Sequence, residues 1–266
     1  MQCLEDVELA DVQATYTGPE ADLWELLMGE QIHIGGFRSS MDLAKQAGIR
    51  AAQQGVDLCC CTGAGMRFLV RFCEVKKMRG VDATRRMVEL GRKRCEEEGW
   101  ADMIEITQAD ACESGLPSDS ADFIWGEDAW CYVKDKQRLI EEAVRIVKPG
   151  GTIAFTDWIE GPGLNAQEAE RYLRFMKFPS ILSLNEYADL LRASGCEVAR
   201  AVDTERFASH VDLYLSMVDK QLTYDALKII GFDHKMLEAI SQEMVFLQQL
   251  AHAGKIAQGM FVARKK

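Results

Sequence analysis

The residue types that could do chemistry gather at the ends of three successive apolar runs. Val56-Asp57-Leu58-Cys59-Cys60-Cys61-Thr62-Gly63-Ala64-Gly65 places an acid at the close of a β-type run, ahead of a turn of small residues. Asp82 follows 25 positions later, after Met78–Val81, and Asp110 follows the run 103–108 in Gln-Ala-Asp-Ala. Neither the G-x-G-x-x-G pattern nor a P-loop Lys-Ser/Thr pair is present, so the turn has no built-in grip for phosphate. A carboxylate at the end of the second strand can accept both hydroxyls of a ribose. A single such Asp would read as a turn or helix cap. Three in register, with no phosphate loop, point to a nucleoside ligand lacking phosphates. The charge balance agrees: 42 acidic against 31 basic side chains give a net charge of -11. That is the wrong sign for a nucleic-acid surface, which draws its affinity from basic groups. It suits a small cationic ligand or one without charge.

These acids must be positioned by alternating strands and helices. Residues 54–59 read as a strand and 65–73 as a helix, followed by a strand over 78–81 and a helix over 84–98. Strands follow at 103–108 and 121–126, then a helix at 135–147. Lys148-Pro149-Gly150-Gly151 is a stop signal, because Pro and Gly do not extend a helix, and Thr152–Trp158 is the next strand. This spacing makes βαβ units on a parallel sheet covered on both faces. Residues 1–53 form a helical N-terminal cap interrupted by His33-Ile34-Gly35-Gly36-Phe37, and residues 54–266 form the core of the same single domain. A helical lid spans about 205–252, with Phe207, Val211, Tyr214, Leu215 and Val218 at the spacing of a packed face. The tail from Ile256 returns to strand character.

The acid pattern, with Leu116-Pro117, Ala121-Asp122-Phe123-Ile124 and the Lys-Pro-Gly-Gly stop, resembles the class I S-adenosylmethionine-dependent methyltransferases. The resemblance implies an α/β fold with a doubly wound, mostly parallel seven-stranded sheet, and S-adenosyl-L-methionine as cofactor. It implies Asp57 near the methionine amino group, Asp82 on the ribose and Asp110 on the adenine amino group, with Ala83 and Ala111 packed beside the adenine. Cys59, Cys61, Gly63 and Glu127 would complete the cofactor contacts. The family places glycines where this chain has Cys59 and Cys61. A turn with φ below zero would accept cysteine freely, whereas a strained φ costs about 1–3 kcal/mol.

The acceptor end narrows the likeness. Tyr16 and Leu23-Trp24-Glu25-Leu26-Leu27-Met28-Gly29-Glu30-Gln31-Ile32-His33-Ile34-Gly35 are similar to the N-terminal segment of sarcosine/dimethylglycine N-methyltransferases. Glu127-Asp128-Ala129-Trp130 resembles their Gln-Asp-Ala-Phe, and Gly259–Lys265 their last strand, while Tyr132 replaces a His of that family. The small-molecule acceptor implied is an amine, glycine-derived in that family. An amine that gains positive charge favours aromatic faces. Trp130, Tyr132, Trp158, Trp24, Tyr16 and Phe37 could supply them, with Glu30, Asp128 and Asp157 as nearby acids. Trp130 is the first choice, because the loop after the fourth strand faces the transferred methyl in this fold. His33 would orient the acceptor or take its proton. His210, His234 and His252 read as lid residues, and Arg38 as an exposed loop residue or a carboxylate partner.

Nine cysteines in no disulfide-like spacing, and an N-terminus without a secretion signal, lead to the cytoplasm as the expected compartment. Cys59-Cys60-Cys61 matches no zinc spacing and reads as packing at a strand end, so no metal is expected. A soft-ion or arsenite site assisted by Cys112, Cys131 or Cys73 is the sharper alternative. No apolar run nears the roughly eighteen residues of a membrane span. Other acceptors on the same fold (a quinone or ring carbon, a phosphobase, a thiol) and a non-catalytic binding protein remain open, as does a homodimer.

Overall fold

A computed structural model describes residues 2–266. Seven strands form the main sheet, in the order β4 (Ile104–Gln108), β3 (Lys77–Asp82), β2 (Gln54–Leu58), β5 (Ala121–Glu127), β6 (Val147–Glu160), β9 (Ile256–Lys265) and β8 (Cys196–Asp203). All pair in parallel except β9, which runs antiparallel to both β6 and β8. From β2 the chain first winds outward to β3 and β4, then returns to the other side at β5. The strand order therefore reverses between β2 and β5, which opens a crevice at their carboxyl ends.

Both faces of the sheet are covered, which is why β2 is buried at every position after Gln54 and β5 at every position except Asp122 and Glu127. One face buries Val56, Leu58, Ile124, Ile153 and Phe155 against Leu139, Ile140 and Ile146 of α6 (Lys136–Ile146) and Tyr187 and Leu191 of α8 (Leu184–Ala193). The other buries Met78, Ile106, Phe123 and Trp125 against α3 (Gly36–Ala47), α4 (Ala64–Cys73) and α5 (Arg85–Glu97). Thus α3, expected in the cap, lies on the sheet; its Leu43, Ala44 and Ala47 form the buried stripe.

A second apolar cluster lies beyond the carboxyl ends of β5 and β6. It joins Trp158, Tyr172, Phe178, Phe207 and Tyr214, and holds α7 (Ala166–Met176), α9 (Phe207–Met217) and α11 (His234–His252) together. A π-helical turn, Val218–Leu222, links α9 to α10 (Thr223–Ile229). Helix α1 (Leu9–Thr17) borders the crevice through Leu9, Val12 and Tyr16, and α2 (Pro19–Met28) follows it, with Pro19 at its start, where its missing N–H costs nothing.

Two local features depart from the sequence reading. Lys148–Gly151 lies inside β6 rather than before it: Val147 already pairs with Ala121, and the register shifts between Ala121 and Phe123. The Pro-Gly-Gly residues are an irregularity within the strand, and Lys148 Nζ reaches Asp122 at 2.7 Å. The short β1 (Gln2–Cys3), pairing with β7 (Ser180–Ser183), had no signal in the sequence.

Candidate active site

The turn from β2 into α4 lies at the crevice. Its backbone is pinned from β3: Cys60 N–H donates to the Val81 carbonyl at 3.0 Å, and Cys61 N–H to Asp82 Oδ2 at 2.9 Å. Thr62 is held from the other side, its carbonyl accepting from Arg67 at 2.6 Å and its hydroxyl lying 3.3 Å from Arg94 Nη1. The same arginines reach Glu30 and Glu25, which ties the segment around α2 to the turn.

Within this turn Cys59 has φ 65° and Cys61 φ 48°. The glycine-type conformation is kept although the glycines are not. This corrects the alternative of a relaxed turn with negative φ. Each Cβ in the left-handed region costs about 1–2 kcal/mol, which the four backbone and side-chain anchors of the turn offset.

Asp57, on β2, is 4% exposed, and among the described residues nothing donates a hydrogen bond to its carboxylate. Burial pushes its pKa well above the usual carboxylate range, and the neighbouring Glu127 and Asp82 push it further. The start of α4 approaches both acids closely: a Cβ on Gly65 would stand 2.8 Å from Glu127 Oε2 and 3.5 Å from Asp57 Oδ2. Asp82 bonds the Cys61 N–H with one oxygen and the Thr84 N–H, at 2.8 Å, with the other; burial raises its pKa against those bonds. Asp110 is exposed and accepts the Cys112 N–H at 2.8 Å.

These groups line two adjoining spaces. The larger, about 380 Å³, is bounded by Tyr16, Cys59, Cys61, Asp82, Ala83, Asp110, Ala111 and Tyr132. The smaller, about 50 Å³, is bounded by His33, Asp57, Gly65, Glu127 and Asp128, and shares Tyr16, Cys59, Cys61 and Ala129 with the first. All three acids of the sequence pattern, both alanines and the cysteine turn therefore meet at one crevice. Gly63 caps α4 just behind it, with φ 73°.

At the end of β5 the side chains form a closed network. Glu127 accepts from Ser40 Oγ at 2.7 Å and from Trp125 Nε1 at 3.0 Å, and lies 3.3 Å from His33 Nε2. His33 Nε2 is also 3.2 Å from Ser40 Oγ, and Nδ1 is 3.4 Å from the Ile34 carbonyl. Both ring nitrogens thus face protein groups, which makes His33 a poor candidate for removing an acceptor proton. Asp128 is buried at φ 51°, and its carboxylate takes the Ile34 N–H at 2.8 Å and the Gln258 amide at 2.8 and 2.9 Å. Burial raises its pKa, while His33 and the hydrogen bonds pull it back. Asp128 is therefore a clamp joining the His33 loop, β5 and β9.

Trp130 requires a correction. It is fully buried, its ring stacks on Phe155 at 4.0 Å, and its indole N–H donates to the Leu58 carbonyl at 3.2 Å. No face is open to an acceptor. The aromatic groups that do face the crevice are Tyr16 and Tyr132, edge to face with centroids 5.3 Å apart. Burial raises both phenol pKa values, so both stay protonated. Trp158 and Asp157 are buried, Asp157 beneath the crevice with Tyr187 and the Cys131 N–H on its carboxylate. Trp24 lines a different cavity, Phe37 packs on Phe68 and Phe72, and Arg38 is exposed. Ser40, Gly65 and Gln258 were missed. Gln258 lies 130 residues from its partner Asp128, with no local pattern to mark it. Among the described residues no cluster of metal-binding side chains exists, and every cysteine is a free thiol.

The crevice fits S-adenosylmethionine on its own chemistry. An unpartnered buried carboxylate waits for a cation in the small chamber, and acids and alanines line the larger one, as an adenosine requires. Residues 56–155 match a methyltransferase domain family. The 27-O-demethylrifamycin SV methyltransferase of Amycolatopsis mediterranei is 28% identical over 70% of this chain and 74% of its own length. Phosphoethanolamine N-methyltransferase 1 of Triticum aestivum is 22% identical over 91% of this chain, which spans 48% of that enzyme. The crystal structure of a Galdieria sulphuraria protein, provisionally assigned as a sarcosine dimethylglycine methyltransferase, aligns at TM-score 0.82 and 21% identity, over 93% of this chain and 97% of that one. A Haemonchus contortus phosphoethanolamine N-methyltransferase solved with S-adenosyl-L-methionine aligns at TM-score 0.85 and 19% identity, over 98% of this chain and 60% of that one. No helix among the described residues is long and apolar enough to cross a membrane. The strand order, the acid triad and the domain match over residues 56–155 together support a class I S-adenosylmethionine-dependent methyltransferase.

Proposed function

We propose that the methyl acceptor is a small-molecule amine. The observation that carries this reading is the lining of the small chamber: Asp57, Glu127 and Asp128 surround it, and its one imidazole, His33, has both nitrogens facing protein groups. Methylation of an alcohol or phenol, with loss of its proton, yields a neutral ether and leaves no cation for these carboxylates to stabilise. A neutral amine brings its own lone pair and becomes cationic, a change that preorganised carboxylates favour.

S-adenosylmethionine, when bound, supplies an electrophilic methyl group carried on a sulfonium. Asp57 would hold the cofactor's ammonium, Asp82 its ribose and Asp110 the exocyclic amine of its adenine, with Ala83 and Ala111 along the ring. Tyr16 and Tyr132, neutral and edge to face, would orient the amine nitrogen through their hydroxyls. Glu127, fixed by Ser40, Trp125 and His33, would keep the chamber negative. Positioning supplies much of the rate in such a displacement.

Sarcosine and dimethylglycine are the finer candidates that the resemblance suggests, but each carries a carboxylate. The cations on the crevice wall, Lys134 and Arg138, are paired with Glu8 and Glu113. A simple amine matches that lining better than a zwitterion or a phosphobase. The test is S-adenosylhomocysteine formation with matched acceptors: a secondary amine, sarcosine, an alcohol, a phenol and a thiol. Turnover with the amines supports the reading, and turnover confined to the phenol, alcohol or thiol removes it.

A further inference from the structure

Lys136 opens α6, directly after Asp135, which lines the crevice, yet its own side chain is buried at 4% exposure. Burying an ammonium costs desolvation, and a cation in the first turn of a helix also opposes the helix dipole. Burial pulls its pKa below the usual lysine range, with Asp157 pulling the other way. Helix α6 therefore gains nothing from a lysine at this position. What the ammonium does is set by its contacts.

Four neutral oxygens surround its Nζ. It donates to the Cys131 carbonyl at 3.2 Å and to the Val133 carbonyl, and on β7 to Ser180 Oγ at 2.9 Å and the Ser180 carbonyl at 3.4 Å. The first two carbonyls flank Tyr132. That residue ends the short turn Trp130–Tyr132, whose own bonds run from the Tyr132 N–H to the Ala129 carbonyl at 3.2 Å and from the Val133 N–H to the Trp130 carbonyl at 3.0 Å. From the opposite edge, Asp157 accepts the Cys131 N–H at 3.0 Å. Ser180 lies two residues beyond Phe178, whose ring meets Tyr132 edge to face at 4.7 Å. One nitrogen thus ties the backbone on both sides of Tyr132 to the strand that follows its ring neighbour.

We infer that Lys136 is the positioning residue for Tyr132: it lines neither space of the crevice, and it sets where the Tyr132 phenol stands against Tyr16. This rests on the reading that Tyr132 meets the methyl acceptor, and it names the group that holds Tyr132 there.

The experiment is a double-substitution cycle on the purified protein: Lys136→Met, Tyr132→Phe and the two together, run with whichever acceptor class is turned over. Lys136→Met keeps an apolar stem and removes the donor. Its kcat is expected to fall about 10- to 100-fold, as a displacement of about 1 Å at a positioned group does. Its affinity for S-adenosylhomocysteine, by calorimetry, is expected to stay close to that of the wild type. Beside Tyr132→Phe the same substitution is expected to lower kcat by no more than about twofold, because the hydroxyl it places is already gone. Equal losses in the two backgrounds, an unchanged kcat in folded Lys136→Met, or a loss confined to cofactor affinity makes Lys136 a structural residue and overturns the inference. A Tyr132→Phe protein that turns over like the wild type overturns it as well. Should Lys136→Met not fold, Ser180→Ala, which removes one acceptor and keeps the ammonium, takes its place. A loss of kcat that disappears beside Tyr132→Phe then supports the inference, and no loss or an equal loss overturns it. Turnover confined to a phenol, alcohol or thiol overturns the amine reading and leaves the cycle readable with that acceptor.

Discussion

The cysteine turn offers a prediction whose sign differs between adjacent residues. Cys59 and Cys61 hold left-handed φ values of 65° and 48°, whereas Cys60 is not among the positive-φ residues. Replacing Cys59 or Cys61 by glycine removes about 1–2 kcal/mol of backbone strain. It also raises the entropy of the unfolded chain, at about 0.5–1 kcal/mol. The net expectation is a gain of roughly 0–1.5 kcal/mol each, or a Tm higher by up to a few degrees for a chain of this size. Cys61 gives up its 3.5 Å contact with Met87 Sδ, which places it at the lower end. Cys60→Gly gains nothing, because its side chain is buried against Gly80 and Met66, and it is expected to lose about 1–3 kcal/mol. Scanning calorimetry of the three variants, with S-adenosylhomocysteine titration of each, gives the comparison. The reasoning fails if Cys59→Gly and Cys61→Gly both lose stability as Cys60→Gly does, or if they fold but no longer bind cofactor. Burial and nearby carboxylates raise the pKa of all three thiols, so thiol reagents are expected to react slowly with the native protein.

Further predictions concern the acids and the packing. Asp57 must ionise to receive an ammonium, and its folded pKa is raised, so cofactor affinity is expected to fall as pH drops through that raised value, above the usual carboxylate range. The same shift means the free protein loses stability as pH rises from the ordinary Asp pKa to the raised one; Asp57→Asn should flatten both profiles and weaken binding by about 1.5–3 kcal/mol, measurable by calorimetry across pH. Asp82→Ala removes the acceptor for two backbone N–H groups as well as the ribose contact, so it is expected to lower both Tm and affinity, the latter by about 1.5–3 kcal/mol; unchanged affinity in a folded variant would take Asp82 out of the site. Trp130→Leu empties space beside Phe155 and orphans the Leu58 carbonyl, so denaturant unfolding should show a loss of about 2–4 kcal/mol, and an equally stable variant with reduced turnover would return Trp130 to the acceptor site. Gln258→Leu leaves the Asp128 carboxylate short of a donor, and its stability deficit should grow as pH rises and that carboxylate ionises; a deficit independent of pH would contradict the clamp.

The parallel sheet and the three acids were legible because both are local patterns. Strand-helix alternation writes itself into hydrophobic period, and an Asp at a strand end keeps its place whatever surrounds it. What was not legible depends on residues distant in the chain meeting in space. Trp130 follows the correct strand, but whether its ring faces ligand or core is decided by Phe155 across the sheet. The Asp128 clamp needs Gln258 from the last strand, and the engagement of His33 needs Ser40 and Glu127 from two different elements. The φ values of Cys59 and Cys61 are set by anchors on β3, not by cysteine, so residue type alone left both a relaxed and a strained turn open. Lys148–Gly151 reads as a helix stop ahead of the strand from Thr152, because Pro and Gly do not extend a helix, yet pairing of Val147 with Ala121 draws it into β6.

The most direct measurement is transfer of an isotope-labelled methyl group from S-adenosylmethionine to a secondary amine by the purified protein, followed by mass spectrometry. The account predicts labelled N-methyl product and S-adenosylhomocysteine in equal amounts, both lost in Asp57→Asn at cofactor concentrations that saturate the wild type. Binding of S-adenosylmethionine with no S-adenosylhomocysteine formed from any amine would contradict it.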